Sequence, residues 1–215
     1  MYLCFDTSSQ ESGITLIDEI KSYGYTKLEY NNFSEGIIST VDQLVQKAKI
    51  KLSDLKGIFV IQGPGSFTGL RVGITVANQF SHQLDIPIIG IKMEEFYKHR
   101  TDEKDFFYIQ TMNKSEVYVI GFGKYEKQFD EKIISIDEFV EHATSLSRIL
   151  GELKYDHVEK LSEQFEEIKN FQSIEDTWLS IVGNTKLESG KKYDLIQPYY
   201  GKNPNITKSN KRFKV

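Results

Sequence analysis

At 215 residues, with 39% hydrophobic and 27% charged residues, the chain suits one large domain or two small lobes with real cores. A formal net charge of −4 and a pI near 5.7 argue against a body wrapped in nucleic acid. Cys4 has no partner for an internal disulfide, the start Met1-Tyr2-Leu3-Cys4-Phe5-Asp6 lacks the basic opening of an export signal, and no run approaches the ~18 apolar residues of a membrane span, so a soluble, cytoplasmic protein is expected.

Tyr2 to Phe5 is a short apolar run with the pattern of a strand buried on both faces, and Asp6-Thr7-Ser8-Ser9 ends it with turn-forming side chains. Gly13 to Ile17 and roughly Lys21 to Tyr30 read as two further strands of an antiparallel meander. Ser34 is placed to cap a helix running to about Lys49, in which Ile37, Val41, Leu44, Val45 and Ala48 form one apolar face. Leu52 to Leu55 make a turn, and Gly57-Ile58-Phe59-Val60-Ile61 is a buried strand. A glycine-rich loop, a helix to about Leu84 and a strand over Ile86 to Ile91 follow. The order βββαβαβ predicts a sheet with helices packed on it.

Every residue from Lys98 to Asp105 is polar or charged, which divides the chain into a lobe over 1–100 and a smaller one over 101–215. In the second, Phe106 to Gln110 and Glu116 to Gly123 pair around the turn Asn113-Lys114-Ser115. Ile136 to Ala143 reads as a helix and Trp178-Leu179-Ser180-Ile181-Val182 as a buried strand, with Leu150 to Asp176 unassigned and no internal repeat. The tail from Lys202 carries Lys202, Lys208, Lys211, Arg212 and Lys214 without an acid; it is either a loose terminus or a phosphate contact.

Four glycines crowd the loop Gly63-Pro64-Gly65-Ser66-Phe67-Thr68-Gly69-Leu70-Arg71-Val72-Gly73, a place for close backbone approach. The phosphate motifs fail on it. Gly69 is followed by Leu70-Arg71 rather than Lys-Ser/Thr, and the third glycine of G-x-G-x-x-G is Thr68. Pro64 and Thr68 stand where a nucleophile elbow around Ser66 needs glycines. Gly69 and Gly73 lie on one helix face at a cost of about 1 kcal/mol each relative to alanine, tolerated where another backbone packs closely. Leu70, Ile74, Ala77 and Leu84 form one apolar stripe that covers a sheet; Val72, Val76 and Phe80 form another that needs the preceding helix or a second protein. Arg71 is either a solvated arginine or a polar anchor beside such an interface.

The eleven-residue string closely resembles the hallmark of the bacterial TsaB (YeaZ) family of threonylcarbamoyladenosine biosynthesis proteins, in the glycoprotease-like superfamily. Asp6-Thr7-Ser8 is similar to the family's opening Asp-Thr-Ser, Glu116-Val117-Tyr118 to the end of its second-lobe motif, and Pro198-Tyr199-Tyr200 with Pro204 to its closing motif. The likeness is continuous over about 1–91 and patchy beyond: Thr111, Met112 and Asn113 replace Asp, Ala and Arg, and Gly201-Lys202 replaces a hydrophobic residue and Arg.

The resemblance implies an α/β actin-like (ASKHA) fold of two lobes, each a mixed sheet with flanking helices. It implies a non-catalytic scaffold that binds and activates TsaD, which transfers a threonylcarbamoyl group to the adenosine at position 37 of tRNA, with the ATPase TsaE joining the assembled complex. The contact implied is a helix bundle, here Ile37, Val41, Leu44, Gly69, Arg71, Val72, Gly73, Val76, Ala77 and Phe80, beside the motif loop Gly63, Pro64, Gly65, Ser66, Phe67 and Thr68. Gly73→Leu and Ala77→Glu would then abolish binding to TsaD and leave the monomer folded. A homodimer through the same face is plausible for the free chain, and tRNA is reached indirectly or through the basic tail. Asp6, Thr7 and Ser8 are expected at the interlobe cleft.

An autonomous metallohydrolase or ATPase is the alternative. The catalytic relatives hold a metal through H-x-x-x-H, whereas His82, His99, His142 and His157 include no such pair and read as surface or helix-end histidines. Asp6 and Gly13 suit one phosphate hairpin, but Gly121-Phe122-Gly123 and Val182-Gly183-Asn184 read equally well as strand-end turns. No cofactor is expected, save a nucleotide at the subunit boundary of the complex. Cys4 is expected to be a small buried residue.

Overall fold

A computed structural model describes residues 1–29, 33–154, 156–169, 171–185, 187 and 194–201, excluding the side chains of 33–35. The basic tail 202–215, including Lys202 and Pro204, lies outside the described residues. The chain forms β1 (Tyr2–Asp6), β2 (Gly13–Ile17), β3 (Ser22–Lys27), α1 (Phe33–Ala48), β4 (Gly57–Gly63), α2 (Phe67–Leu84), β5 (Ile88–Lys92) and α3 (Met93–Lys98). It continues with β6 (Phe107–Thr111), β7 (Glu116–Gly121), β8 (Lys132–Ser135), α4 (Ile136–His142), β9 (Arg148–Glu152), α5 (His157–Ser162), β10 (Glu166–Glu167) and α6 (Ile174–Asn184). No described helix is long and apolar enough to cross a membrane.

The first sheet has the order β3-β2-β1-β4-β5, with β1–β2 and β2–β3 antiparallel and β1–β4 and β4–β5 parallel. The second repeats it as β8-β7-β6-β9-β10, again antiparallel in the meander and parallel beyond it. Each parallel step needs a crossover, which α1, α2, α4 and α5 supply. The sequence shows no internal repeat, yet the fold is one: two βββαβαβ units built from different residues. The sheets divide at the polar run 98–105, after which α6 returns to pack on β2 and β3.

Three apolar clusters hold this arrangement. Ile37, Val41, Leu44 and Val45 of α1 and Leu70, Ile74 and Ala77 of α2 cover one face of the first sheet, with Leu3, Phe5, Ile58 and Val60 beneath. Phe107, Phe139 and Phe165 anchor the corresponding layer of the second unit. Between the units, Phe96 and Tyr97 of α3 and Trp178, Ile181 and Val182 of α6 meet Cys4, Phe59, Tyr108 and Tyr118 from both sheets.

Four sequence expectations are corrected. Trp178 to Val182 is helix, because Ser173 caps it by accepting from the Asp176 N–H, Glu175 and Asp176 complement the dipole, and Ile174, Thr177, Trp178, Ile181 and Val182 recur at helical spacing. A five-residue apolar window hid that period. His157 begins α5 but is wholly buried, its Nε2 facing the Lys114 carbonyl (3.0 Å) and its Nδ1 Thr111 Oγ1 (3.1 Å). α1 begins at Phe33, which places Ser34 inside the helix rather than at its cap. β3 and β5 are shorter than expected, at Ser22–Lys27 and Ile88–Lys92. Cys4 is buried, as its setting in β1 requires.

Candidate partner interface and interlobe cleft

The motif loop leaves β4 at Gly63 through a cis Gly63–Pro64 bond, and Ser66 caps α2 by accepting from the Gly69 N–H at 3.3 Å. Its glycines serve this chain's own backbone. A Cβ on Gly69 would stand 1.8 Å from Thr7 O, one on Gly73 2.0 Å from Thr7 Oγ1, and one on Gly65 2.7 Å from the Ser8 Cβ. Thr7 Oγ1 donates to Gly69 O at 2.8 Å, fastening the end of β1 to the first turn of α2. On the other side, Tyr199 O would meet a Cβ on Gly63 at 2.1 Å.

Asp6 closes the same junction. Its Oδ1 accepts from Ser8 N (2.8 Å), Ser8 Oγ (3.0 Å) and Ser9 N (3.2 Å), and its Oδ2 accepts from Ser9 Oγ (2.5 Å). Burial raises its pKa, and those four bonds pull in the opposite direction. Asp6 and Thr7 are therefore buried anchors of the loop rather than groups presented to a ligand. Ser8, with Ser9, Gln10, Ser12, Ser66, Lys27 and Lys154, lines a cleft of about 570 Å³.

Across this junction the second unit is tied to the first by polar contacts. Glu152 Oε1 accepts from Gln10 N (2.9 Å) and Tyr97 Oη (3.3 Å), and burial raises its pKa. Arg100 pairs with Glu11 and donates to Gln172 O at 3.3 Å. The segment 194–201 adds a strap along α2. Asn78 donates to Ile196 O (2.8 Å) and accepts from Ile196 N (3.0 Å), while Gln62 donates to Gln197 O (2.9 Å) and its own carbonyl accepts from Tyr199 N (2.8 Å). Tyr199 also donates to Glu131, whose other oxygen meets Lys92 at 2.8 Å.

The expected docking residues separate into two groups. Ile37, Val41, Leu44, Gly69, Gly73 and Ala77 are fully or nearly fully buried within the first lobe, so no partner reaches them. The error lies in the face assigned: Ile37, Val41 and Leu44 at i, i+4 and i+7 mark the inward stripe of α1, and Gly69, Gly73 and Ala77 at i, i+4 and i+8 that of α2. Ile38, 52% exposed on the outward side of α1, was missed by sequence reasoning. With Thr75, Val76, Gln79, Phe80 and Gln83 it lines an uncharged groove of about 220 Å³ between α1 and α2. Val72 is half-buried, and Arg71 is exposed beside Phe67. Of the histidines, only His157 is fully enclosed, and no group of three His, Cys, Asp or Glu among the described residues is placed to hold a metal.

Two βββαβαβ units on a shared α3/α6 layer define an actin-like, two-lobed α/β protein. A model described as TsaD, tRNA N6-adenosine threonylcarbamoyltransferase, matches residues 27–197. The chain belongs to that family. It is 27% identical over 157 residues to the tRNA threonylcarbamoyladenosine biosynthesis protein TsaB of Buchnera aphidicola subsp. Baizongia pistaciae, covering 68% of this chain and 71% of that one. It is 36% identical over 95 residues to the TsaB of Bacillus subtilis, covering 43% of this chain and 41% of that relative. The fold is shared with a solved Pseudomonas aeruginosa protein described as similar to peptidase YEAZ, at TM-score 0.68 and 18% identity over 94% of this chain and 99% of that one.

Proposed function

We propose that this chain is a non-catalytic scaffold and activator in tRNA threonylcarbamoyladenosine biosynthesis, docking a TsaD transferase through the outer face of α1 and α2. The observation that carries the reading is the uncharged groove at Ile38, Thr75, Val76, Gln79, Phe80 and Gln83. An exposed isoleucine between two helices, beside half-buried Val76 and Phe80, is a surface that a helix-in-groove partner covers. The names of the TsaB relatives support the pathway, and the absence of any H-x-x-x-H pair in the sequence supports the non-catalytic role. In this proposal the chain holds no cofactor of its own, and any nucleotide sits at the subunit boundary. TsaE joins the assembled pair, and the free chain pairs with a second copy through the same groove.

Ile38→Glu and Thr75→Glu place a carboxylate in the groove at exposed positions, so each should abolish co-purification with TsaD while the isolated chain keeps its melting temperature. Gly73→Leu and Ala77→Glu cannot serve this test, because both sites are filled by the lobe itself. Reconstitution with TsaD and TsaE should give modified tRNA only when this chain is present. Stoichiometric metal with turnover by the isolated chain would instead establish an autonomous enzyme.

A further inference from the structure

The strap 194–201 belongs to neither sheet and is held in place by side chains. Asn78 and Gln62 bind its backbone on the first lobe, and Tyr199 carries it across to the second. The Tyr199 ring packs against the core layer between the lobes, with Lys92 Nζ 4.6 Å from its centre, and its hydroxyl donates to Glu131. Two residues on, a Cβ at Gly201 would stand 3.2 Å from the Tyr118 ring. The strap thus closes over a small polar group drawn from both lobes.

Glu94, in the first turn of α3, is the buried member of that group. Lys92 Nζ, at the end of β5, stands 3.7 Å from Glu94 Oε1 and 2.8 Å from Glu131 Oε2. One cation therefore serves two carboxylates, and of the two only Glu131 reaches water. The buried phenols of Tyr118 on β7 and Tyr108 on β6 lie within the field of Glu94. On α3 itself, Glu95 is taken up by Lys98 at 3.5 Å and His99 at 3.3 Å. Burial raises the pKa of Glu94, and the charge of Glu131 adds to the rise against the pull of Lys92.

We propose that the strap is a proton-linked latch, which closes over the Lys92, Glu94 and Glu131 group when Glu94 is neutral and loosens when it is ionised. In the closed position Tyr199 fixes Glu131 beside Glu94, and the strap keeps water from the Tyr118 side of the group. An ionised Glu94 then carries two costs, lost hydration and repulsion from a carboxylate that shares its cation. Opening lets water in and frees Glu131 to turn outward, which relieves both. Glu94 accordingly binds its proton more tightly closed than open, so closure is favoured in acid and is lost as pH rises through the closed-state pKa. The neighbours keep their charge meanwhile. Burial holds Tyr118 and Tyr108 neutral, and Lys92, whose burial is outweighed by the two carboxylates, stays charged. The latch is independent of the docking proposal, since the α1/α2 groove contains none of these groups.

Amide hydrogen exchange of the full chain, corrected for intrinsic rate, reads the latch at Ile196 and Tyr199, whose N–H groups donate to Asn78 Oδ1 and to the Gln62 carbonyl. Protection at both should fall by about tenfold from mildly acidic to neutral pH, the change that a tenfold difference in proton affinity between closed and open straps gives. That fall should exceed any at the β1 amide of Cys4, which reports global unfolding. Glu94→Gln should keep the strap protected at every pH. Glu131→Gln removes the repulsion and leaves Lys92 to Glu94, so the transition should move to lower pH; Lys92→Met should move it higher. Protection that is flat with pH in the wild type overturns the latch, as does a fall matched at Cys4. A fall that persists in folded Glu94→Gln also overturns it. Should Glu94→Gln not fold, a transition unmoved in both Glu131→Gln and Lys92→Met has the same force.

Discussion

Thr7 occupies the space that side chains on Gly69 and Gly73 would need, and this contact explains why a helix carries two glycines in its first two turns. The cost of glycine in a helix is offset by letting Thr7, just past β1, pack onto α2 with its carbonyl against Gly69 and its side chain against Gly73. Gly69→Ala should therefore destabilise by about 3 kcal/mol or more, read as a fall in melting temperature of about 2–4 °C per kcal/mol. Gly183→Ala on α6 is the control, since a Cβ there meets nothing within 4 Å; it should be stabilising by roughly 0.5–1 kcal/mol. Glu94 makes a different residue-scale prediction. It is buried, Lys92 stands 3.7 Å from its Oε1, and burial raises its pKa above the ordinary carboxylate value. A raised carboxyl binds its proton more tightly when folded, so its contribution is favourable in acid and is lost as pH rises through the folded pKa. Glu94→Gln should thus raise the melting temperature at neutral pH, by about 1–3 kcal/mol of stability, and the gain should shrink on acidification below the raised pKa. Thermal scans across that range check it; a gain constant with pH would contradict the account.

At the scale of elements, α2 shows what the sequence discloses and what it hides. Its inner stripe, its N-cap at Ser66 and its end at Leu84 are all legible from spacing and residue type. The burial of α1's Ile37, Val41 and Leu44 was equally legible as one face, but which face a partner meets depends on the sheet beneath, and that is a tertiary fact. The strap is not legible at all: Asn78 binds both backbone groups of Ile196 across 118 residues. Asn78→Ala should cost about 1–3 kcal/mol and speed amide exchange at Ile196 and Tyr199, because two backbone groups lose their partner. In α6 the failure was one of window length. Trp178 to Val182 looks like a strand alone, and like a helix only once Ser173 and Ile174 are counted. Trp178→Ala should destabilise by about 3–5 kcal/mol, since the ring is buried between the units against Phe96 at 5.0 Å.

The whole molecule is a duplicated topology whose two halves share no visible sequence pattern. The first half was readable because its strands are continuous apolar runs and its helices have clean periods. The second has short helices of six or seven residues and a two-residue strand, each too brief to show a period. The contacts that fix the lobes, such as Glu152 to Gln10 and Arg100 to Glu11, join distant residues and leave no local trace. The most direct test of the central claim is the affinity of the purified chain for TsaD, measured by calorimetry for wild type, Ile38→Glu and Thr75→Glu. The account predicts tight one-to-one binding for wild type and loss of at least about 100-fold for each variant, as hot-spot residues show, with unfolding temperatures unchanged. Wild-type affinity in both folded variants would contradict it.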